Sequence, residues 1–352
     1  MSDASRIDGV AGRWRLAARP RAWALMLAAA LLLALLPGCE RADDAPLAPS
    51  GRPESLVIAL TPYAGAAPAF VALAEGFFER EGLTVTVQRH PSGKAALDAV
   101  LEGKADLATV AELPVALAAV RGHPVTILAT LSTQSDHAIV GRTDLGVGSP
   151  ESLKGRRIGV SAGTSGDFML DVMLVRQRLA RADVRVVDRK PQELAGALAS
   201  GEVDAIATWE PYIDDARRQL GDRAAVFPSD GVYDSSFNLA ALRRFALQRA
   251  ETARRVLAAL QRAEQLLARD PAACEPIVAR SLGKAPGETR QLLARSRFAL
   301  TLEQHLLVVL EDEGRWALKN RVATAAQAPN FLDAVYLDGL AAVRPRAVTI
   351  IR

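Results

Sequence analysis

The sequence has few aromatic residues, few histidines and almost no cysteine, and each scarcity narrows the functions open to it. Aromatic residues make up 5% of the 352 residues, and there are only four histidines and two cysteines. The histidines are scattered without a His-x-x-x-His spacing, and neither a Gly-x-Ser-x-Gly elbow nor a phosphate loop is present. With Cys274 as the one cysteine in the body of the chain, no disulfide or cysteine-based metal site is expected. We therefore predict a protein without metal, cofactor or catalytic residues, a binding protein rather than an enzyme.

The amino-terminal segment is typical of an export signal. Residues 1–21 carry five arginines and two aspartates, and residues 22–36 form an uncharged apolar run. A membrane-spanning helix needs roughly 20 apolar residues, and this run is shorter. The run ends at Leu36-Pro37-Gly38-Cys39, which resembles a bacterial lipoprotein signal in which Cys39 becomes the lipid-modified first residue. Pro37 is unusual at its position, and an incidental cysteine in an ordinary signal is the alternative.

Removal of the predicted signal, residues 1–38, changes how the charge is interpreted. Five of the 43 basic residues and two of the 40 acidic residues lie in that segment, so the remainder is close to neutral. The basic pI therefore does not indicate nucleic-acid binding. Residues 39–54 are polar and rich in proline, which predicts a flexible tether. We expect a monomer on the periplasmic side of a bacterial membrane, held there by the lipid on Cys39.

From residue 55 onward, apolar runs of strand length alternate with helical patterns, and the pattern restarts near His137. Such alternation predicts an α/β fold with largely parallel sheets and crossover helices. A body of about 300 residues is at the size limit of a single hydrophobic core, so we expect two lobes. We assign residues 55–136 and 242–352 to lobe 1 and residues 137–241 to lobe 2, with a mainly helical stretch after Arg243. Ligands of such sheets bind beyond the carboxyl ends of the strands, so the strand-to-helix turns are the candidate site.

One of these turns is rich in glycine and hydroxyl groups. It follows a predicted strand at residues 157–160 and supplies Gly163, Thr164, Ser165 and Gly166 at a helix start. The free amides of a helix amino terminus bind anions well. The alternative is an ordinary capped helix, in which Thr164 or Ser165 satisfies those amides and nothing binds.

A second turn concentrates the scarce aromatic residues. Trp209, Glu210, Pro211 and Tyr212 follow a predicted strand at residues 205–208. Trp209 and Tyr212 offer flat apolar walls to a ligand, and Glu210 can accept a hydrogen bond from a ligand or cap the next helix. An aromatic pair that only seals a helix–sheet junction is the alternative.

Three further positions complete the candidate site. Tyr63 follows the first strand. Glu112 follows the strand at residues 106–110, where it can also cap the helix that Pro114 opens. Thr133 lies in the polar stretch 132–136, the expected crossing between lobes, which suits either ligand binding or a hinge.

The placed segments resemble the solute-binding lipoproteins of ABC importers for nitrate, aliphatic sulfonates, taurine and thiamine-precursor pyrimidines. The resemblance spans nearly the whole mature chain, and it is carried by residues 68–78 with 81–83, 103–106, 201–211, and 330–333 with 343–345. It implies a bilobed periplasmic-binding-protein fold of type II, with two Rossmann-like lobes, two crossover hinges near 137–141 and 237–242, and a helical C-terminal part. It also implies a small-molecule ligand, hinge closure over that ligand, and permease and ATPase subunits as partners.

The sequence indicates two different chemical groups for the ligand, an oxyanion and a hydrogen-bond donor. The turn at residues 163–166 suits an oxyanion such as a sulfonate, whereas Glu112 and Glu210 would favour a ligand that carries an amine or another donor. An aminosulfonate, or an aminopyrimidine stacked on Trp209, satisfies these demands better than nitrate. Two other classes of function stay open. One is a sensing lipoprotein without a transporter, and the other is a thiamine-pyrimidine synthase, although the Cys/His-rich segment of such enzymes is missing.

Overall fold

The computed structural model describes residues 53–325 and 327–351. The predicted export signal and Cys39 lie outside the described residues, as does the predicted tether except for Pro53 and Glu54. Glu54 is the first residue of strand β1. Among the helices of the described ranges, none has both the length and the apolar character required to cross a bilayer.

Six strands form the first sheet, in the order β11-β4-β10-β3-β1-β2. Their bounds are β1 Glu54–Leu60, β2 Leu83–Arg89, β3 Leu107–Ala111, β4 Val125–Gln134, β10 Ser235–Leu242 and β11 Ser296–Thr301. β1 runs parallel to both of its neighbours. β10 runs antiparallel between β3 and β4, and β11 runs antiparallel to the other side of β4.

Five strands form the second sheet, in the order β7-β6-β8-β5-β9. Their bounds are β5 His137–Arg142, β6 Arg157–Val160, β7 Arg185–Asp188, β8 Ala205–Trp209 and β9 Ala224–Pro228. β6 is parallel to β7 and β8, whereas β5 is antiparallel to β8 and β9. The expectation of largely parallel sheets is therefore wrong. The strands that join the two sheets, β4, β5, β9 and β10, pair antiparallel with their neighbours. Antiparallel neighbours do not require a crossover helix between them.

Thirteen α-helices in the described ranges cover the sheets. They are α1 Ala67–Ala74, α2 Phe77–Arg80, α3 Gly93–Leu101, α4 Glu112–Val120, α5 Ser165–Arg176, α6 Leu194–Ser200, α7 Tyr212–Leu220, α8 Arg243–Gln248, α9 Ala250–Arg269, α10 Pro271–Leu282, α11 Pro286–Ala294, α12 Gln304–Lys319 and α13 Leu337–Val343. The stretch after Arg243 is mainly helical as predicted, but β11 interrupts it.

The core follows from strands that are covered on both faces. In β3 the first four residues are all buried, which explains why the sequence shows an apolar run there without alternation. One large apolar cluster packs around the first sheet and its helices. Two smaller clusters cover the second sheet, one containing Ile139 and Met169 and the other containing Val140 and Leu198. A fully buried leucine such as Leu128 contributes on the order of 1.5–3 kcal/mol relative to an exposed one.

The chain passes between the sheets twice, at neighbouring places. The first passage joins the end of β4 to the start of β5, and the second joins β9 to β10. Gln134 and Ser235 are register partners, so both passages leave the first sheet side by side. All of β10 pairs within the first sheet, whereas the sequence assigned residues up to 241 to lobe 2. The sequence predicts that a short apolar segment such as β10 is a strand, but it does not indicate which sheet the strand joins.

Candidate functional site

A cavity of about 40 Å³ lies where strand ends of both sheets meet. It is lined by Thr61, Pro62, Tyr63, Pro91, Ser92, Gly93, Lys94, Ala111, Pro114, His137, Thr164, Ser165, Trp209, Pro211, Tyr212, Ser235 and Phe237. The residues after β1, β3 and β8 contribute to it, together with the first turns of α3 and α5. It therefore occupies the position at which open α/β sheets bind ligands.

Aromatic rings form two of the cavity walls. The Trp209 and Tyr212 rings meet edge to face with centroids 5.6 Å apart. On the side of the first sheet, Tyr63 and Phe237 meet in the same manner at 4.7 Å. Gly166 lies behind Trp209, and a Cβ at this glycine would lie 3.4 Å from the indole ring and 3.1 Å from the carbonyl oxygen of Ala207. The glycine therefore lets the indole lie close against the start of α5.

A connected set of polar groups, which we call the cavity network, crosses the floor of the cavity. It consists of Tyr63, Asp136, His137 and Ser165. The Tyr63 hydroxyl donates to Asp136 Oδ2 at 2.6 Å. Asp136 Oδ1 lies 3.0 Å from His137 Nδ1, although the two groups are not aligned as a hydrogen bond. His137 Nε2 lies 2.9 Å from Ser165 Oγ. Asp136 and His137 are 5% and 3% exposed, so their electrostatic interaction is weakly screened.

Serine, histidine and aspartate in this order resemble the arrangement that activates a nucleophile. Here Asp136 and His137 are consecutive residues, and the poor alignment of their side chains weakens the orientation that the imidazole of such an enzyme requires. Among the described residues, no group of three or more His, Cys, Asp or Glu side chains is placed to hold a metal ion.

Most backbone amides of the glycine-rich turn already have hydrogen-bond partners within the protein. The Gly163 amide donates to the Asp167 carboxylate at 3.0 Å, and the Ala162 amide donates to Asp188 at 2.9 Å. Arg181 in turn pairs with Asp167 at 2.6 Å. A carboxylate of the protein thus occupies part of the region proposed for an oxyanion. The helix has no side-chain cap, so the suggested capping by Thr164 or Ser165 is wrong, and the Asp167 carboxylate instead binds the turn at the Gly163 amide.

Glu112 is fully buried beneath the cavity wall and does not line the cavity. Its carboxylate accepts from the Ser236 amide at 2.8 Å, from the Ser236 hydroxyl at 3.1 Å and from the Tyr233 hydroxyl. Burial raises the pKa of Glu112, while these hydrogen bonds lower it in part. The side chain holds the chain where it returns to the first sheet.

Glu210 lines a neighbouring groove of about 750 Å³ on the other side of His137. It is 2% exposed, accepts from the Asp214 amide at 3.2 Å and lies 3.4 Å from the Arg295 guanidinium. Burial raises the pKa of Glu210 to about 7, and the charge of Asp214 adds to the effect. Its contacts join α7 of the second sheet to the end of α11.

The predicted site residues therefore fall into three groups. The cavity brings together Tyr63, Thr164, Ser165, Trp209 and Tyr212. Gly166 supports the cavity from behind, as described above. The remaining four, Gly163, Thr133, Glu112 and Glu210, lie in surface depressions, under the wall or in the neighbouring groove.

Sequence reasoning missed Asp136, His137, Ser235 and Phe237. The polar crossing at residues 132–136 was identified, but its last residue and the histidine that follows were not chosen. Of the described residues that line the cavity, Lys94 is the one lysine or arginine, and its ammonium group pairs with Asp98 at 3.0 Å on a half-exposed rim. The floor therefore has buried acidic groups behind it and no buried lysine or arginine in its lining.

The two sheets, the paired passages and the cavity between them define the class of bilobed solute-binding proteins. A model of the family described as NMT1/THI5 like matches residues 64–274, and the chain belongs to this family.

The curated relatives agree with this class. A binding protein of Brucella abortus (strain 2308) is 28% identical over 296 residues, which cover 82% of this chain and 86% of that protein. The taurine-binding periplasmic protein of Escherichia coli (strain K12) is 28% identical over 42% of this chain and 47% of that protein.

Solved structures show the same fold. The alkanesulfonate-binding protein of Xanthomonas axonopodis pv. citri, bound to MOPS, superimposes with a TM-score of 0.71 at 21% identity and covers 82% of this chain and 99% of that one. The nitrate-binding protein of Synechocystis PCC 6803 gives a TM-score of 0.69 at 14% identity, over 84% of this chain and 90% of that one. The prediction of a bilobed periplasmic-binding-protein fold is confirmed.

Relatives that are enzymes match a smaller part. The 4-amino-5-hydroxymethyl-2-methylpyrimidine phosphate synthase of Schizosaccharomyces pombe is 31% identical over 41% of this chain and 40% of that protein. The Brucella relatives, which match across 82% of this chain, are named as binding proteins. The prediction of a binding protein rather than an enzyme is thus confirmed.

Proposed function

We propose that this chain is the substrate-binding lipoprotein of an ABC importer, and that it presents a small solute to permease and ATPase subunits. The observation that carries the proposal is the cavity, whose walls come from strand ends of both sheets. A ligand between two lobes bridges them and stabilises their closed arrangement, which is the form that a membrane partner can distinguish from the open one. Export to the periplasmic side, attachment through Cys39 and a monomeric state complete the proposal.

The small volume of the cavity supports closure by hinge motion. The cavity of about 40 Å³ leaves little free space between the lobes. We expect the lobes to separate when a solute enters and to close once it is bound. The two passages lie side by side at Gln134 and Ser235, so a bend there moves one sheet relative to the other with little disturbance to either core.

The proposed solute is small and resembles taurine and other sulfonates, or an aminopyrimidine. The names of the relatives support this range, since they include taurine-binding and aliphatic sulfonate-binding proteins. Trp209 and Tyr212 offer rings for stacking or apolar contact, and the buried carboxylates behind the floor favour a solute that carries an amino group. Nitrate, a bare anion with no donor, fits these surroundings poorly.

A thermal-shift screen followed by calorimetry tests the proposal. The panel contains taurine, alkanesulfonates, nitrate and aminopyrimidines, because a solute that binds only the folded state raises the melting temperature. We expect a rise with an amino-bearing sulfonate or pyrimidine. Tight binding of nitrate with no binding of the other compounds would overturn the proposed solute class.

The lipid anchor is tested separately in bacterial cells. The wild-type chain is expected in the membrane fraction with a lipid-modified Cys39, detected by mass spectrometry of the amino-terminal peptide. Cys39→Ala should lose the lipid mass from that peptide. Cys274→Ala is the matched control and should keep it, since Cys274 is fully buried in α10 and offers no attachment site. A wild-type amino-terminal peptide without lipid on Cys39 would refute the anchor.

A further inference from the structure

The cavity network contains a histidine whose two ring nitrogens face different groups, and these groups bear on where the ring proton lies. His137 Nδ1 faces Asp136 Oδ1 at 3.0 Å. The two atoms are not aligned as a hydrogen bond, but a carboxylate repels the lone pair of an unprotonated nitrogen and attracts an N–H, so its field favours the tautomer with the proton on Nδ1. Nε2 is then an acceptor.

An acceptor at Nε2 determines the direction of the hydrogen bond to the Ser165 hydroxyl. Since Ser165 Oγ lies 2.9 Å from Nε2, the serine hydroxyl donates its proton to the imidazole. Its lone pairs are left to interact with the cavity. Tyr63 has the same polarity, because its hydroxyl proton is used on Asp136 at 2.6 Å. Both hydroxyls therefore use their protons within the protein and can only accept from a ligand, and the Tyr63 oxygen also interacts with the Ser235 side chain.

The groups around His137 place negative charge behind the cavity floor. Asp136 lies beside it, and the charge of the buried Glu112 interacts with it from α4. The rings of Trp209, at 6.0 Å, and Tyr233, at 5.4 Å, also lie near His137, and the groove on its other side contains Glu210 paired with Arg295. Ligand groups on this floor thus meet hydroxyl acceptors with carboxylates behind them.

We propose that the cavity network determines specificity by selecting a solute that presents an N–H donor, an ammonium or aromatic amino group, to Ser165 and Tyr63. The inference rests on the proposed function and deepens it. It also assigns a role to Asp136 and His137: they are positioning residues, because they act on the ligand through the Ser165 hydroxyl. The sulfonate or ring of the solute then lies toward Trp209 and the rim at Lys94, where the one lysine of the lining stands.

Matched pairs of probes test the selection in the purified full chain. Taurine is compared with ethanesulfonate, and 4-amino-2-methylpyrimidine with 2-methylpyrimidine, because each pair differs only in the amino group. For at least one pair, the amino compound should bind the wild type at least about tenfold more tightly by calorimetry, as a hydrogen bond to a charged or strongly polar group predicts. Ser165→Ala should reduce that ratio to about threefold or less, since one acceptor is lost. Ser200→Ala, at the end of α6 and outside the cavity lining, is the matched control and should leave the ratio unchanged.

A second measurement requires no ligand. In protein labelled with ¹⁵N-histidine, His137 should show a protonated Nδ1 and an unprotonated Nε2, with its signals assigned by their loss in His137→Gln. Asp136→Asn should shift the population toward the other tautomer. A proton on Nε2 in the wild type would overturn the assigned polarity.

The outcomes separate this inference from the proposed function. If no probe binds the wild type, the proposed solute class fails and the selection fails with it. If probes bind but the ratio is small, or unchanged in Ser165→Ala, the selection alone is refuted. Covalent modification of Ser165 by a fluorophosphonate would indicate an activated nucleophile and would likewise overturn the recognition role.

Discussion

Replacement of Glu313 by glutamine should make the protein more stable at neutral pH. Glu313 lies on α12, is 0% exposed, and neither of its carboxylate oxygens has a hydrogen-bond partner among the described residues. Burial raises the pKa of Glu313 well above its ordinary value of 4.5, and the nearby charges of Glu112 and Asp312 raise it further. The folded protein therefore holds the proton of this carboxyl group to a higher pH than the unfolded chain does.

The sign and size of the effect follow from the proton balance. Above pH 4.5 the unfolded chain releases the proton of Glu313 while the folded chain retains it, so stability falls as the pH rises toward the folded pKa. Each pH unit in that window costs about 1.4 kcal/mol. Glutamine has nearly the same shape and no proton to lose. The difference in unfolding free energy between Glu313→Gln and the wild type should therefore grow as the pH rises above 4.5, by up to about 1.4 kcal/mol per pH unit while the pH stays below the folded pKa.

Urea unfolding at several pH values measures this difference from the midpoints, provided that the slopes of the two proteins agree. Glu311→Gln is the control, because Glu311 lies on the same helix but is half exposed and pairs with Arg315. Its difference from the wild type should not vary over the same pH range by more than a few tenths of a kcal/mol. A pH-independent difference for Glu313→Gln, or one that grows toward acid pH, would refute the reasoning and show that Glu313 is ionised in the fold.

Three further outcomes follow from the cavity and its surroundings. Trp209→Ala should weaken solute binding by on the order of 1–3 kcal/mol in calorimetry, and an unchanged affinity would assign the indole to the core alone. Gly65→Ala would place a Cβ 2.7 Å from Gln134 Nε2, 2.8 Å from the Tyr63 ring and 2.9 Å from Phe237 Cβ, so this variant should lose about 1–3 kcal/mol of stability in urea melts, whereas a neutral effect would mean that all three neighbours move freely. Carbon-13 NMR titration of Glu210 should give a pKa of about 7, and a normal carboxyl value would show that burial does not dominate there.

Local patterns in the sequence predict the elements better than their arrangement. The runs that became β1, β3 and β8 were recognised because buried strands need continuous apolar residues, whichever partners they take. β11 was missed, since Ser296–Thr301 lies among helical patterns and becomes a strand through pairing with β4. The position of β10 between β3 and β4 was missed for the same reason, because strand pairing depends on residues far apart in the chain.

The residues of the candidate site likewise differ in whether local sequence patterns predict them. Trp209 and Ser165 could be selected from the sequence because each follows a strand directly, and the carboxyl ends of strands gather at one edge. The cavity network could not be selected, since it depends on two turns from different sheets that meet at His137. The role of Glu112 was also out of reach, because its partners Tyr233 and Ser236 lie more than 100 residues further along the chain.

The side-by-side passages also have a consequence for the order of folding during synthesis. All strands of the second sheet lie between His137 and Pro228, so that sheet is complete in one continuous stretch as the chain emerges. The first sheet must wait for β10, and it must close a loop of about 100 residues between Gln134 and Ser235. Once the second sheet has formed, it brings those two residues together and removes much of the entropy cost of that closure. We therefore expect the lobe that begins first along the chain to be completed last, after the inserted lobe has folded and has brought Gln134 close to Ser235.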